Sequence, residues 1–282
     1  MFPGSASGIL TLPSGNADEV NGIAFQFIRQ GDGVSLASDY EVTSAWPPGR
    51  GNVNDDSSRD ARFTPDFFRF LKELAKNNNR EWFTANKGRY ETSVRDPSLA
   101  FVRVAGSKLG RLSHHLVADP RPVGGSVMRI YRDIRFSKDK SPYRTTVGIH
   151  FPHEPVGSEE EHLPGFFLHL APADSWVYAG MWMPEPKRLL QIRRALVDRS
   201  AEWKKVKAAV PPIEGESLKR PPPGYAPDHP LIEDLKRKGF TAGLSIPDSV
   251  VTGPDFPDRF VSLCQSLNPL NRFLSQAIGV AY

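Results

Sequence analysis

Hydrophobic residues recur at helical spacing from residue 63 onward and predict three helices before residue 120. Thr64 and Pro65 suit the start of the first helix, and the polar run 77–79 predicts its end. Its apolar positions are Phe67, Phe70, Leu71 and Leu74. A second helix is expected over Arg80–Val94, and a third begins near Pro97. The apolar stripe of the third helix consists of Val102, Ala105, Leu109, Leu112 and Leu116.

After residue 122 the hydrophobic residues recur at every second position, which predicts strands. From Met128 to Phe136, and again over residues 144–151, apolar and polar side chains alternate as on the two faces of a sheet. The polar stretch 137–143 joins these two runs, so together they predict a hairpin with a long loop. Two more strands are expected over residues 166–170 and 176–183.

Helical spacing returns at Pro186 and continues to about Ala209. A short helix is expected over residues 231–237 and a last one over residues 258–273. Helices first, then strands, then helices again is a segregated order. It predicts an α+β fold with an antiparallel sheet flanked by helices, rather than alternating βαβ units.

Residues 1–60 differ from the rest of the chain. They are rich in Gly and Ser, and the first lysine of the chain is Lys72. Only residues 22–28 have a strand-like pattern. This composition predicts a largely disordered N-terminal extension, or one added by a start codon assigned too far upstream, with no function of its own. Residues 61–282 are expected to form a single domain.

Composition limits the chemistry that the chain can carry. Its one cysteine, Cys264, excludes an intramolecular disulfide framework and a cysteine-based zinc site, and its apolar neighbours predict a buried thiol. No apolar run reaches 18 residues, and no secretory signal is visible at the N-terminus. We therefore expect a cytoplasmic protein that does not bind membranes.

Positive charge is concentrated in the part of the chain that is expected to fold. Residues 1–60 contain eight acidic residues and three arginines, so residues 61–282 carry a net charge of +9 against +4 for the whole chain. Basic surfaces attract phosphates, nucleic acid or anionic lipids.

Residues 129–144, here called the basic segment, have the sequence RIYRDIRFSKDKSPYR and a net charge of +4. Arginine makes planar, bidentate contacts with carboxylates and phosphates. The segment therefore predicts an anion site, an internal network in which Asp133 and Asp139 pair with its cations, or a plain exposed hairpin. The candidate anion-binding residues are Arg129, Arg132, Arg135, Lys138, Lys140 and Arg144.

The polar face of the expected sheet contains further candidates. Strand alternation places His150, His169, Trp176, Tyr178 and Trp182 on it, together with polar residues of the basic segment. A face that mixes Arg with aromatic rings can stack a base and hold a phosphate, although the aromatic residues also suit a core covered by helices. The candidate acid/base groups are Tyr131, Asp133 and His169.

Metal and nucleotide motifs are not found in the sequence. It has no HExxH, no EF-hand loop and no glycine-rich phosphate loop. The histidines show no metal-ligand spacing, since His150, His153 and His162 straddle a loop rich in Pro and Glu. No metal and no cofactor are predicted.

Four segments of the chain resemble an uncharacterised conserved-hypothetical family, catalogued as domain of unknown function number twenty-four sixty-one and found in bacteria and fungi. The segments are residues 63–91, 129–145, 178–196 and 219–240, and the most specific run is RFSKDKSPYRT. The resemblance covers about residues 62–276 and leaves residues 1–60 outside the domain. It implies no activity and carries over no catalytic residue, but it favours a shared site for RIYRD and RFSKDKSPY.

Three functions remain open on this sequence. The first, which the pattern favours, is a protein or enzyme that binds a phosphorylated or otherwise anionic small molecule through the basic segment. The second is a nucleic-acid-binding module that uses the basic and aromatic sheet face. The third is an interaction scaffold that docks partners on the irregular arm 211–225.

Overall fold

The computed structural model describes residues 27–30, 33–36, 61–154 and 163–282. Strands β1 (Phe27–Gln30) and β2 (Gly33–Leu36) form an antiparallel hairpin, which overlaps the expected strand 22–28 at two residues. The prediction of a disordered or misassigned extension otherwise falls on residues outside the described ones and stays a prediction.

The N-terminal helices begin as expected and then differ from the prediction. Helix α1 (Pro65–Lys76) buries its predicted apolar face, and α2 (Arg80–Ala85) begins at Asn79, whose side chain accepts the Trp82 N–H at 2.9 Å. The second helix ends at Ala85 and not near Val94. Asn86 stops it, because its side chain donates to the Trp82 carbonyl at 2.9 Å and its backbone leaves the helical region.

One helical run replaces the expected break before Pro97. It consists of α3 (Lys87–Tyr90), a π-helical turn (Glu91–Arg95) and α4 (Asp96–Leu109). Pro97 has no N–H to donate, and the wider turn before it lets the helix continue without that bond. Because α4 ends at Leu109, the last two positions of the predicted stripe lie beyond the helix.

Four antiparallel strands form the main sheet, which confirms the predicted α+β class. Their order is β3 (Val147–Pro152), β4 (Gly165–Leu170), β5 (Ser175–Met181) and β6 (Phe240–Ile246). The sequence reasoning missed β6. Its signal was present, since Phe240, Ala242, Leu244 and Ile246 alternate with Thr, Gly and Ser.

The predicted strand over residues 128–136 is wrong, although the hairpin pairing it implied does form. Met128 N–H donates to the Gly148 carbonyl at 2.9 Å, and Arg132 N–H donates to the Pro142 carbonyl at 2.9 Å. Only isolated bridges result, such as Tyr131 with Tyr143. Aspartate side chains accept the N–H groups of Arg135 and Ser141, and these local bonds compete with a regular ladder.

Helices cover one face of the sheet. The C-terminal helices are α5 (Pro186–Asp198), α6 (Ser200–Ala209), α7 (Ile232–Leu235), α8 (Asp248–Val251) and α9 (Phe256–Ala277). The first two replace the single helix expected over residues 186–209. Helix α9 packs against β5 and β6, and the residues beneath it, such as Leu168, Val177 and Ala242, are fully buried.

Candidate anion-binding site

The basic segment is fastened to the α1–α2 turn at its C-terminal end. The Asn78 amide donates to the Tyr143 carbonyl at 2.9 Å, and its side-chain oxygen accepts the Tyr143 N–H at 3.1 Å. The Tyr143 ring is buried and stacks on Phe83 with ring centroids 4.1 Å apart. These contacts fix where the rest of the segment emerges at the surface.

Two arginines of the segment pair with its two aspartates. Arg135 holds Asp133 in a bidentate pair, with Nε–Oδ1 at 3.0 Å and Nη2–Oδ2 at 2.7 Å. Arg132 pairs with Asp139 and also donates to the Ser141 carbonyl at 3.2 Å. The predicted internal network is therefore present for these four residues.

The two aspartates are held in their charged form. The hydrogen bond from Arg135 lowers the pKa of Asp133. Bonds from the Ser141 hydroxyl and N–H, followed by the bond from Arg132, lower the pKa of Asp139 to about 2. Both carboxylates are thus occupied as acceptors, and neither is suited to take up a proton near neutral pH.

Four cations of the segment form no ion pair with a carboxylate among residues 61–154 and 163–282, although the charge of Arg129 contributes to the lowered pKa of Asp133. Arg129 and Lys138 are exposed, and the Lys140 ammonium donates only to the Ile134 carbonyl at 2.9 Å. The Arg144 Nε atom is shielded from solvent and finds no acceptor in the same part of the chain. An unpaired, shielded guanidinium nitrogen is costly unless an acceptor approaches it.

Two aromatic residues lie among these cations in the sequence. Tyr131 is 54% exposed and lies 5.5 Å from the Tyr143 ring. Phe136 is 95% exposed, and the Arg135 guanidinium lies over its ring at 5.9 Å. Tyr131 is therefore supported by the core, while Phe136 projects into solvent.

The face of the sheet opposite the helices, here called the uncovered face because no described helix lies on it, adjoins the segment. The register places His150, Phe167 and Tyr178 on this face with His169 and Trp176, as their alternation predicted, and all five are half-buried. Trp182 lies beyond the end of β5. Met128 lies over Gly148, where a Cβ atom would meet the Met128 sulfur at 2.7 Å, so the segment begins at the edge of this face.

The three acid/base candidates do not form one group. Tyr131 lies in the segment, Asp133 is bound by Arg135, and His169 sits in β4 opposite Trp176. Burial lowers the pKa of His169, with the charge of Asp174 opposing it. Within the described residues no hydrogen bond joins any two of the three, so the structure does not assemble them for proton transfer.

Sequence reasoning missed the part played by the α1–α2 turn. Asn78 was interpreted only as part of a turn, yet it holds the segment through Tyr143. Arg80 lies close enough for its charge to oppose the rise that burial causes in the pKa of Tyr143. Both residues act on a segment some 60 positions away, which local sequence patterns do not reveal.

Other chemistry is sparse in the described chain. Cys264 is fully buried as expected, and burial raises the pKa of its thiol. No cluster of three or more His, Cys, Asp or Glu side chains that could hold a metal occurs there, and His162 lies outside it. None of its helices is both long enough and apolar enough to cross a bilayer.

A comparison with protein families gives one match. A family model described as "Conserved hypothetical protein (DUF2461)" matches residues 59–273. This range contains the whole basic segment and its anchor at Asn78, and it begins close to the expected domain start at residue 61. No curated protein and no solved structure matches the chain.

Proposed function

We propose that this chain, which belongs to the conserved hypothetical family (DUF2461), binds a phosphate-bearing anion at its basic segment. The observation that carries the proposal is the charge left after internal pairing. Two of the six cations form ion pairs with aspartates, while Arg129, Lys138, Lys140 and Arg144 form none within residues 61–154 and 163–282.

Four like charges in one short segment repel one another, and an anion offsets that repulsion. Phosphate oxygens accept strong hydrogen bonds from guanidinium and ammonium groups. Arg144 adds its positive charge to this group, although its shielded Nε atom is closed to an anion arriving from solvent. The paired aspartates also contribute to the site, because they accept backbone N–H groups and so fix the turns that carry the remaining cations.

The proposal concerns binding and assigns no reaction. The groups that could transfer protons are separated, and Asp133 is already engaged by Arg135. A binding role needs only the unpaired cations and the fixed backbone that carries them.

Titration calorimetry of the full chain with tripolyphosphate tests the proposal. The double variant Arg129→Ala/Lys138→Ala removes two exposed cations, and we expect it to weaken binding about tenfold or more. The matched control Lys72→Ala/Lys204→Ala removes the same charge from exposed helix surfaces and should leave affinity nearly unchanged. Equal losses in both variants, or no binding by the parent protein, would contradict a site at the basic segment.

A further inference from the structure

We propose that the anion bound by the basic segment is single-stranded nucleic acid, whose bases stack on Tyr131 and Phe136 while its phosphates pair with the neighbouring cations. The inference rests on the proposed function, because it names the ligand of the same site. It also gives the aromatic residues a role, because binding of phosphate alone would not involve them.

The exposed rings are the first support. The Phe136 side chain is exposed over 95% of its surface and contacts only the Arg135 guanidinium among the described charged groups, and Tyr131 is exposed over half of its surface. Both rings alternate along the chain with cations, since Arg129 and Arg135 flank them and Lys138 follows. Proteins that bind single strands without sequence preference combine such rings with a basic track along the phosphates.

The way Tyr131 is held is the second support. Its ring packs on Tyr143, which stacks on Phe83 and is fastened by Asn78. A ring supported from behind loses little conformational freedom when a base stacks on its open side. Such a platform is preorganised for a planar ligand.

The open surface is the third support. Arg129, Phe136 and Lys138 are all exposed, so the segment presents a track and not an enclosing pocket. Met128, which is 43% exposed, continues this surface to Gly148 and the half-buried Phe167 on the uncovered sheet face. An extended polyanion matches a surface of this shape better than a single small phosphate does.

An anionic membrane also attracts cations beside exposed apolar side chains, but it fits this site less well. The ionised pair Arg135–Asp133 adjoins Phe136, and Arg132–Asp139 lies in the same loop. Burying the Phe136 ring in lipid would draw these charges out of water, which is unfavourable. Stacking a base on the ring leaves them hydrated.

The experiment measures fluorescence anisotropy of a labelled 20-mer of deoxythymidine with the full-length protein at several salt concentrations. Competitors are inorganic polyphosphate, which has the charges but no bases, and vesicles of phosphatidylserine and phosphatidylcholine. The variants are Tyr131→Ala and Phe136→Ala. Trp182→Ala is the matched control, because Trp182 is an exposed aromatic beyond the other end of β5.

We expect each ring variant to weaken oligonucleotide binding between about 5-fold and 150-fold, the range found for stacked bases. Trp182→Ala should change it less than twofold. Affinity falls as the salt concentration rises, and Arg129→Ala should make this fall shallower, reducing the magnitude of the slope of log affinity against log salt by about 0.7.

Other outcomes would overturn the inference. Polyphosphate binding as tight as that of the oligonucleotide, with no effect of the ring variants, would leave an anion site without base stacking, so that only the proposed function survives. Stronger binding to vesicles than to the oligonucleotide would assign the rings to a membrane. No binding of any of the three probes would contradict the inference and the proposed function together.

Discussion

Asn78 and Tyr143 are 65 residues apart in the chain and pair through both backbone groups of the tyrosine. The Asn78 amide donates to the Tyr143 carbonyl at 2.9 Å, and its oxygen accepts the Tyr143 N–H at 3.1 Å. A side chain thereby takes the place of a neighbouring strand. This contact joins the helical N-terminal part of the domain to the segment that carries the unpaired cations.

Replacing Asn78 by Ala should destabilise the protein markedly. Both backbone groups of Tyr143 would lose their partner in a part-buried position, and the loss of two such bonds costs about 2 to 4 kcal/mol. Urea denaturation measures the change in the free energy of unfolding. Asn77→Ala is the control, because Asn77 is exposed and bonds only within its own helix end. Equal losses in the two variants would contradict the anchoring role of Asn78.

The first helix and the start of the second follow from local sequence. The apolar spacing of α1 depends on residues within a few positions of one another and was predicted, and the cap of α2 at Asn79 is equally local. Strand β4 also agrees with the prediction to within one residue, because buried apolar residues alternate along it with half-buried ones. Strong local periodicity therefore sufficed for these elements.

The remainder depends on contacts that local periodicity does not contain. Residues 128–136 alternate like a strand, but Asp133 and Asp139 bind nearby N–H groups and interrupt the ladder. For the candidate site, sequence reasoning identified the cations and the two aspartates. It could not separate the paired cations from the unpaired ones, because that depends on which carboxylate each side chain reaches.

Gly180 should not tolerate a side chain. It has a φ of +122°, and a Cβ atom there would overlap the Phe240 carbonyl oxygen of the adjacent strand. Gly180→Ala therefore strains the backbone and separates β5 from β6, and we expect it to cost more than about 3 kcal/mol. Thermal unfolding followed by circular dichroism measures the change.

Gly88→Ala provides the matched control for Gly180. Gly88 lies in α3, and a Cβ atom there would have no neighbour within 4 Å. Alanine is the better helix former, so this variant should gain about 0.5 to 1 kcal/mol. A Gly180→Ala protein as stable as the parent would show that β5 and β6 are not packed as described.

The charged state of Asp139 gives a prediction about pH. Its pKa in the folded protein is about 2, chiefly because the Ser141 hydroxyl and N–H donate to it, whereas the pKa of an aspartate in an unfolded chain is about 3.9. Since the folded value is the lower one, the contacts of Asp139 favour the folded segment above about pH 4. That contribution is lost as the pH falls toward 2.

Carbon-13 NMR of the aspartate carboxyls measures this titration directly. Ser141→Ala removes the hydroxyl bond but keeps the backbone N–H, so it should raise the pKa of Asp139 part of the way toward its ordinary value. Ser107→Ala, on α4 and hydrogen-bonded only to its own helix, should leave the pKa unchanged. If Asp139 titrates near pH 4 in the parent protein, the turn that orders the basic segment does not form in solution. The unpaired cations would then lack the fixed arrangement on which anion binding depends.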